Sequence, residues 1–510
     1  MKSFIVFLLL TGTVMAQQIV ELKLSNSDKI VVKLMFKNGS ISDPSGKGGL
    51  TYTTTSLITQ GGTGDLSYSD IQDKIYPMAA RYSSSVDKEV SIFTFQFHKD
   101  WTDQFYPILT GLILNPTLIQ ADFERVKTNQ QAYVDQIIRA SSDEEYSKKA
   151  LEDFLFRGTN YQHMVEGNTK SVNSITLDDV KEHYKNFFTK NNLMIGITGN
   201  HPDDFLEELK ADLSKLPGTE PVLPPIPRIE MPDGIEIEII AKNNAFGSAI
   251  FTGYPIDITR ANDEFAALVV ANSYLGEHRK SYGKLYKMIR EKRSMNYGDY
   301  SYIEWYDNGG SNMLPPPGVP RHSNYFALWI RPVQIAKQLK VQYAELGKIK
   351  IGHAHFALRM ALREMDKMIK NGISEEDFEA TRAFLRSYIK LYIKSPTQQL
   401  GYLMDSKMYG RENYIEELDN LLADLTLADV NNAIKTYMQI YNMKITIVTD
   451  KSEAKELARS LRMNLSSPMS YANLVKAGLP QEVLKDDDET AGFKLNIKSV
   501  KIVDSKDTFK

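Results

Sequence analysis

The feature that most constrains the fold is a sequence repeat whose two copies lie 250 positions apart. Residues 175–200, ITLDDVKEHYKNFFTKNNLMIGITGN, match residues 425–450, LTLADVNNAIKTYMQIYNMKITIVTD. Each copy has a Thr-x-x-Asp sequence where a helix should begin, because the hydroxyl can cap free backbone N–H groups and a carboxylate is favoured in the first turn. The matched positions are Thr176 and Thr426, Asp179 and Asp429, Asn192 and Asn442, and Ile195 and Ile445. Any single helix start could look this way, but one register through a helix and the next strand indicates two related halves.

A proline-rich segment, LPGTEPVLPPIPRIEMPDG at residues 216–234, joins the two halves. Its prolines exclude a regular helix and make it a stiff linker. Each half opens with strands, continues with helices and ends in a helix–strand unit, which predicts an α+β fold with helices packed on a sheet. We therefore predict an N-terminal half at 17–215, a C-terminal half at 235–450 and a tail at 451–510. In the tail we expect a short helix, a solvated acidic loop at 486–489 and a closing strand in LNIKSVKIVD.

Length, charge and cysteine content exclude several classes of protein. The chain has 510 residues, more than one hydrophobic core usually serves. The net charge of -3 and the absence of a Lys/Arg-rich run with aromatics argue against a nucleic-acid partner. There are no cysteines, which excludes disulfides, thiolate metal sites and a cysteine nucleophile.

The N-terminus, MKSFIVFLLLTGTVMAQQ, has the three-part pattern of a secretory signal peptide. Lys2 precedes an apolar run, and small residues lead to a cleavage site after Ala16, so residues 1–16 are the predicted signal. A membrane anchor is the alternative, but the apolar run is too short to span a bilayer. No later segment reaches a spanning length, so we expect an exported, soluble protein in the periplasm or outside the cell.

Three segments, in this order and spacing, resemble the pitrilysin/insulinase family of zinc peptidases (inverzincins). They are GKGGL at 46–50, LNPTLIQADFERVK at 114–127 and LYKMIREKRSMNYGDYSY at 285–302. The resemblance runs from about residue 20 to 450. It implies that each half is a mainly antiparallel sheet covered by helices, and that the halves form a clam-like shell.

The first of these segments resembles the family's zinc helix without its ligands. In active members the Gly-Leu pair is followed by His-x-x-Glu-His, in which two histidines one turn apart bind zinc and the glutamate takes a proton from the zinc-bound water. The resemblance places Tyr52 and Ser56 at the histidines and Thr55 at the glutamate. Asp135, in QQAYVDQII, stands within a turn of the remaining glutamate ligand. Hydroxyl groups are weak zinc ligands unless deprotonated, and Thr55 has no basic group, so we expect no metal and no cofactor in this chain.

The histidines offer no clear replacement for that zinc site. His353 and His355 are the only close pair, and a helix would point them to different faces. We interpret them as ordinary polar or partly buried histidines. The same interpretation covers the others: His98, His163, His183, His201, His278 and His322.

The second half keeps the family's carbonyl-binding pair, Arg290 near a helix C-terminus and Tyr297 on the next strand. In active members this pair hydrogen-bonds the scissile carbonyl as it becomes an oxyanion. The alternative is structural, because arginine is favoured at helix C-termini and the tyrosine could pack in a strand.

The resemblance implies a protein that is inactive alone and contributes to peptide hydrolysis in a heteromeric complex. Some family members are heterodimers in which one subunit holds zinc and the other supplies the Arg and Tyr. The expected partner is a zinc-bearing homologous peptidase subunit, and the expected substrate is a peptide or an unfolded protein. The alternative is a catalytically inert scaffold or peptide-binding protein on the same fold. A hydrolase built on the serines at 83–85 is a third hypothesis, weakened because no His/Asp partner is visible.

Overall fold

The computed structural model describes residues 18–276, 283–304 and 314–509. The predicted signal peptide lies outside the described residues, as does His278. Strands form two sheets, one in each half. They are β1 (Gln18–Lys23), β2 (Lys29–Phe36), β3 (Arg81–Val86), β4 (Ser91–His98), β5 (Leu193–Gly199), β6 (Ile235–Lys242), β7 (Ser248–Ile256), β8 (Asp299–Tyr302), β9 (Asn324–Val333), β10 (Met443–Asp450) and β11 (Ile497–Asp504).

Helices cover both sheets. They are α1 (Leu50–Gln60), α2 (Tyr68–Ile75), α3 (Thr102–Leu114), α4 (Gln120–Ala132), α5 (Asp143–Leu155), α6 (Thr169–Ser174), α7 (Leu177–Phe187), α8 (Phe205–Leu213), α9 (Phe265–Gly276), α10 (Ala336–Gln342), α11 (Ala354–Asn371), α12 (Glu375–Tyr392), α13 (Pro396–Met408), α14 (Tyr414–Asp424), α15 (Leu427–Tyr437), α16 (Lys451–Arg462), α17 (Asn473–Ala477) and α18 (Gln481–Gly492). Two π-helical segments, Tyr133–Ser141 and Tyr286–Glu291, interrupt the regular pattern. None of the described helices is long and apolar enough to cross a membrane.

The two sheets have the same strand order. The first runs β1-β5-β2-β4-β3 and the second runs β6-β10-β7-β9-β8, with β11 added beside β6. Pairing is mainly antiparallel, and the parallel pairs are β1 with β5, β6 with β10, and β6 with β11. The repeat therefore corresponds to equivalent elements, α7–β5 and α15–β10, and the predicted two-halved α+β fold is confirmed.

The repeated Thr-x-x-Asp sequences begin their helices through the same contacts. The Thr176 hydroxyl accepts from the Asp179 backbone N–H at 3.2 Å, and the Asp179 carboxylate accepts from the Thr176 N–H at 2.8 Å. Thr426 and Asp429 form the same reciprocal pair at 3.2 and 2.9 Å. This capping box satisfies N–H groups that a helix start leaves without partners.

Each sheet carries its own hydrophobic core on the helix-covered face. In the first half Phe93, Phe95 and Leu109 are fully buried, and in the second half Ile250 and Met365 are fully buried. Residues 217–232 between the halves contain no helix or strand.

Helix α5 connects the two halves. It belongs to the first half of the sequence, but it packs on the second sheet. Leu151 and Leu155 share a buried cluster with Phe251 of β7. The Lys444 ammonium of β10 donates to the Phe154 carbonyl at 2.6 Å. The two sheets are therefore held together by direct packing as well as by the linker.

A buried cluster of charged side chains at the β3–β4 turn forms a second contact between the halves. Arg321 of the second half donates to Asp87 at 2.6 and 2.5 Å and to Glu152 at 2.6 Å, and all three side chains are at most 3 % exposed. His322 pairs with Glu89 at 2.6 Å. Burial opposes the charged form of His322, but the Glu89 hydrogen bond is the larger effect and raises its pKa.

The acidic run at 486–489 is not the solvated loop that the sequence suggested. It lies within helix α18, and Asp487 is buried. The carboxylates of Asp486 and Asp487 accept hydrogen bonds from Arg293. The prediction was wrong because cations remote in sequence neutralise this acidic segment.

Candidate functional site

Helix α1, which the family resemblance assigns as the zinc helix, begins at a tight backbone crossing. Gly49 has φ +94°, and a Cβ there would lie 2.7 Å from the Gln130 amide nitrogen and from the Glu166 carbonyl. Only glycine fits this left-handed, crowded position. Asp43 accepts from the Gly49 and Thr51 N–H groups at 2.7 Å each, which caps the helix from a preceding turn.

Most threonines of α1 donate hydrogen bonds to backbone carbonyls one turn earlier, whereas the Thr51 hydroxyl contacts Asp43. Thr54 donates to the Leu50 carbonyl at 2.8 Å, and Thr55 lies 3.0 Å from the carbonyl oxygens of Thr51 and Tyr52. A hydroxyl that donates to a carbonyl one turn earlier is a common way to satisfy a buried threonine. Thr55, which the resemblance places at the general-base position, is therefore a buried hydrogen-bond donor with no basic group to accept a proton.

The resemblance places Tyr52 and Ser56 at the two zinc-binding histidines of active family members. The two residues lie one helical turn apart, but neither side chain can bind zinc as a histidine does. Burial, with smaller contributions from Glu166 and Tyr133, raises the pKa of Tyr52 above its ordinary value. The phenol is therefore protonated at neutral pH, and a neutral phenol is a poor zinc ligand.

The first π-helical segment, Tyr133–Ser141, supplies no glutamate to this site. The Asp135 carboxylate accepts from Thr169 at 2.7 Å and lies 3.9 Å from the Arg139 guanidinium. Tyr133, the first residue of this segment, lies near enough to Tyr52 to contribute to the raised pKa of its phenol. The donors at Tyr52, Thr55, Ser56 and Asp135 do not fit a zinc ion. Among the described residues, no three His, Asp or Glu side chains are grouped to hold a metal.

A cleft of about 350 Å³ lies between α1 and β3, the edge strand of the first sheet. Tyr52, Thr55 and Ser56 line it from the helix, and residues 81–86 line it from the strand. The Ser84 hydroxyl contacts Thr59 at 3.1 Å and the Thr55 carbonyl at 3.3 Å. The sequence predicted neither this cleft nor its border, because only the sheet order reveals that β3 is an edge.

Arg290 and Tyr297 lie together on the other half. Arg290 is near the end of the second π-helical segment, Tyr286–Glu291, and donates to the Tyr297 carbonyl at 3.1 Å. Its guanidinium lies 5.3 Å from the centre of the Tyr286 ring and 5.6 Å from that of the Tyr297 ring. The Tyr297 side chain is 74 % exposed, so its hydroxyl is available to a ligand.

Tyr297 is not on a strand, as the sequence had suggested, but two residues before β8. The Asn296 side chain accepts from the Gly298 N–H at 3.3 Å and donates to the Arg331 carbonyl at 3.0 Å, which bends the chain at this point. β8 is the edge strand that corresponds to β3 in the other sheet. The cleft and the Arg–Tyr pair therefore occupy equivalent edges of the two halves.

Asp299 is a buried carboxyl beside this pair that the sequence did not predict. One oxygen accepts from Asn296 at 2.8 Å, and the other has no hydrogen-bond partner among the described residues. Burial raises the pKa of Asp299 to about 8, although Asn296, Arg331 and Arg290 act in the opposite direction.

The paired histidines face different neighbours. His353 lies 3.0 Å from the Ser470 carbonyl, whereas His355 lies 3.2 Å from the Ser460 hydroxyl. Burial lowers the pKa of His355 to about 3. Each is thus a buried hydrogen-bonding group.

Comparisons with known proteins match both halves. A model of the family described as "Insulinase (Peptidase family M16)" matches residues 19–169, and one described as "Peptidase M16 inactive domain" matches residues 174–315. The "Non-peptidase homolog YmxG" of Helicobacter pylori is 22% identical over 427 residues, covering 83% of this chain and 90% of that protein.

Two solved structures share the fold. The peptidase M16 inactive domain from Pseudomonas fluorescens superimposes with a TM-score of 0.70 at 18% identity, covering 85% of this chain and 95% of that chain. A chain of Complex III2 from Candida albicans gives a TM-score of 0.66 at 14% identity, with 86% and 96% coverage.

Proposed function

This chain belongs to the insulinase (M16) peptidase family as a member with a degenerate zinc motif, and we propose that it is the metal-free subunit of an exported heteromeric peptidase. Its partner would be a homologous chain with an intact His-x-x-Glu-His motif. The substrate would be a peptide or an unfolded protein.

The observation that carries the proposal is that the chain lacks the groups that bind zinc but retains the pair that would bind a carbonyl. The zinc-motif positions on α1 hold only hydroxyl groups, whereas Arg290 and Tyr297 lie in contact near an exposed edge. An exposed tyrosine beside an arginine contributes little to a fold but offers two donors to a carbonyl oxygen.

In the proposed reaction, zinc in the partner supplies a Lewis acid and an activated water. The Arg290 guanidinium and the Tyr297 hydroxyl of this chain donate hydrogen bonds to the scissile carbonyl oxygen. Both bonds strengthen as negative charge develops on that oxygen, so they stabilise the transition state more than the bound substrate.

The test uses the complex recovered from the native host with tagged protein and a quenched fluorescent peptide mixture. Chelator-sensitive hydrolysis should co-elute with a second chain. Tyr297→Phe and Arg290→Met should each lower kcat by about 100-fold or more, as loss of an oxyanion donor does. The matched controls are Tyr76→Phe and Arg228→Met, whose side chains are about equally or more exposed and lie elsewhere. Full activity in both site variants would refute the proposal.

An inert scaffold or peptide-binding protein is the second candidate, and the cleft beside β3 favours it. An exposed strand edge can bind an extended peptide through backbone hydrogen bonds without any catalysis. Such a protein would bind peptide equally well with or without Arg290 and Tyr297. Peptide binding by the isolated chain, unaffected by both substitutions and with no hydrolysis in the complex, would support this candidate.

Export is tested on the mature protein. The proposed cleavage after Ala16 predicts that protein from the periplasm or medium begins at Gln17. Intact-mass measurement distinguishes this from a chain that retains its first 16 residues.

A further inference from the structure

Arg293 follows Arg290 by three residues and is buried in contact with the C-terminal tail. Its side chain is 0 % exposed. Nε donates to Asp487 at 2.7 Å, and Nη2 donates to Asp486 at 2.8 Å. Nη1 donates to the Met288 carbonyl at 2.6 Å, so the guanidinium also fixes the backbone that precedes Arg290.

The two carboxylates are themselves held in place. Arg363 of α11 donates to Asp486 at 2.6 Å, and the Tyr471 hydroxyl donates to Asp487 at 2.8 Å. Burial raises the pKa of Asp486, but the combined effect of Arg363, Lys367 and Arg293 keeps it below its ordinary value. Helix α18 therefore presents a fixed acidic surface to Arg293.

The turn between Arg293 and Tyr297 is closed by short-range contacts. The Ser294 N–H donates to the Arg290 carbonyl at 2.7 Å, and Ser294 has φ +52°, in the left-handed region. Asn296 anchors the far end through Arg331 and Asp299. The turn that carries the Arg–Tyr pair is thus held on one side by the tail and on the other by the second sheet.

We propose that helix α18 of the C-terminal tail positions the carbonyl-binding pair through the buried contact of Asp486 and Asp487 with Arg293. Asp486, Asp487 and Arg293 are positioning residues, since they touch neither substrate nor the reacting atoms. A donor pair must be held to within a fraction of an ångström to stabilise an oxyanion, and a displacement of about 1 Å can cost about 100-fold in rate. The inference rests on the proposed function for its catalytic consequence, whereas the positioning itself can be measured without activity.

The first measurement is the mobility of a spin label at residue 297. The chain has no cysteines, so Tyr297→Cys introduces a single labelling site. In the otherwise unchanged chain the label should give an ordered line shape. Adding Asp486→Asn and Asp487→Asn should shift it toward a mobile line shape. A label at Tyr76→Cys, 86 % exposed in the first half, should not respond to the same substitutions.

Misfolding is separated from loss of positioning by a milder variant. Tyr471→Phe removes one hydrogen bond to Asp487 and no charge, so it should shift the label at 297 in the same direction but less. Asp504→Asn breaks the Lys451 ion pair elsewhere in the tail and serves as the control. An unchanged line shape in a folded Asp486→Asn/Asp487→Asn protein would overturn the proposal.

The second measurement is steady-state kinetics of the complex. The tail variants should lower kcat about 10- to 100-fold with little change in KM, because the pair acts mainly in the transition state. Asp487→Glu, which keeps the charge, should recover part of the loss. A mobile label with unchanged kcat would overturn the catalytic role. If the unmodified complex is inert, the proposed function fails, while the spin-label result still decides whether α18 positions the turn.

Discussion

Asp299 is the residue whose protonation should most affect stability near neutral pH. Its pKa of about 8 in the folded protein is far above the ordinary 3.8, so the folded state retains the proton over that range. Stability should fall as pH rises from about 4 to about 8, by at most about 1.4 kcal/mol per pH unit from this group. Asp299→Asn cannot ionise and should become progressively more stable than the unmodified protein across the same range.

Urea unfolding at pH 5, 6, 7 and 8 measures this difference. Asp257→Asn, at a site where the carboxylate is 81 % exposed, is the control. A stability difference between Asp299→Asn and the unmodified protein that stays constant with pH would contradict the assignment.

The missing third ligand can be located by rebuilding the zinc site. Tyr52→His, Thr55→Glu and Ser56→His restore the motif, and a third protein ligand is needed to retain zinc. Because Tyr133 lies near enough to Tyr52 to contribute to the raised pKa of its phenol, whereas Asp135 bonds Thr169, adding Tyr133→Glu should raise zinc affinity at least about tenfold over the triple variant. Competition with a chromophoric chelator measures the affinity. Equal affinity would favour Asp135 as the third position.

Sequence reasoning is decisive for a single residue only where side-chain chemistry alone fixes what the group can do. Thr55 cannot be a base in any fold. It failed for Asp299, because the burial of a carboxyl depends on strands and helices that meet only in the folded chain.

At the scale of elements, the two capping boxes should contribute equally to stability. Thr176 and Thr426 make the same reciprocal contacts at exposed helix starts. Thr176→Ala and Thr426→Ala should each lower the free energy of unfolding by about 1 kcal/mol, and the double variant by their sum. Conservative Thr→Ser substitutions at the same sites are the matched controls. Chemical denaturation monitored by circular dichroism would reveal any strong inequality, which would contradict equivalent roles.

The element that the sequence failed to predict is α18. An acidic run is usually solvated, and nothing local indicates the arginines that pair with it. Arg293 lies 194 positions from Asp487, and Arg363 lies 123 positions from Asp486. Such a pairing is decided by the packing of α11 and the tail, which neither periodicity nor composition reports.

At the scale of the whole molecule, we expect Arg321 to contribute most to the contact between the halves. Replacing it by Met leaves Asp87 and Glu152 buried near each other without their main counter-charge. We expect a loss of about 3–5 kcal/mol in stability and faster proteolysis of the linker at 217–232. Arg228→Met, which breaks an exposed pair with Asp257, should cost less than about 1 kcal/mol. Equal effects of the two substitutions would argue against a structural role for the buried cluster.

The repeat predicted the two-halved architecture, because equivalent segments adopt equivalent positions in both sheets. It could not predict where the copies differ. Helix α5 lies in the first half of the sequence but packs on β7 and β10 of the second sheet, and β11 has no counterpart among the described strands of the first sheet. Of these two differences, helix α5 brings the halves into direct contact.

The position of β11 determines when the second sheet can be completed during synthesis. A ribosome that has made the chain up to Gly199 has already delivered every described strand of the first sheet. The second sheet must wait for Ile497–Asp504, and Phe509 then packs beside Tyr146 and Ile138 of the first half. The nascent chain therefore carries a second sheet without its outer strand until residues 497–504 have been made. A premature stop before Ile497 would leave both repeats encoded, yet it would remove β11 from its place beside β6 and Phe509 from its place beside Tyr146.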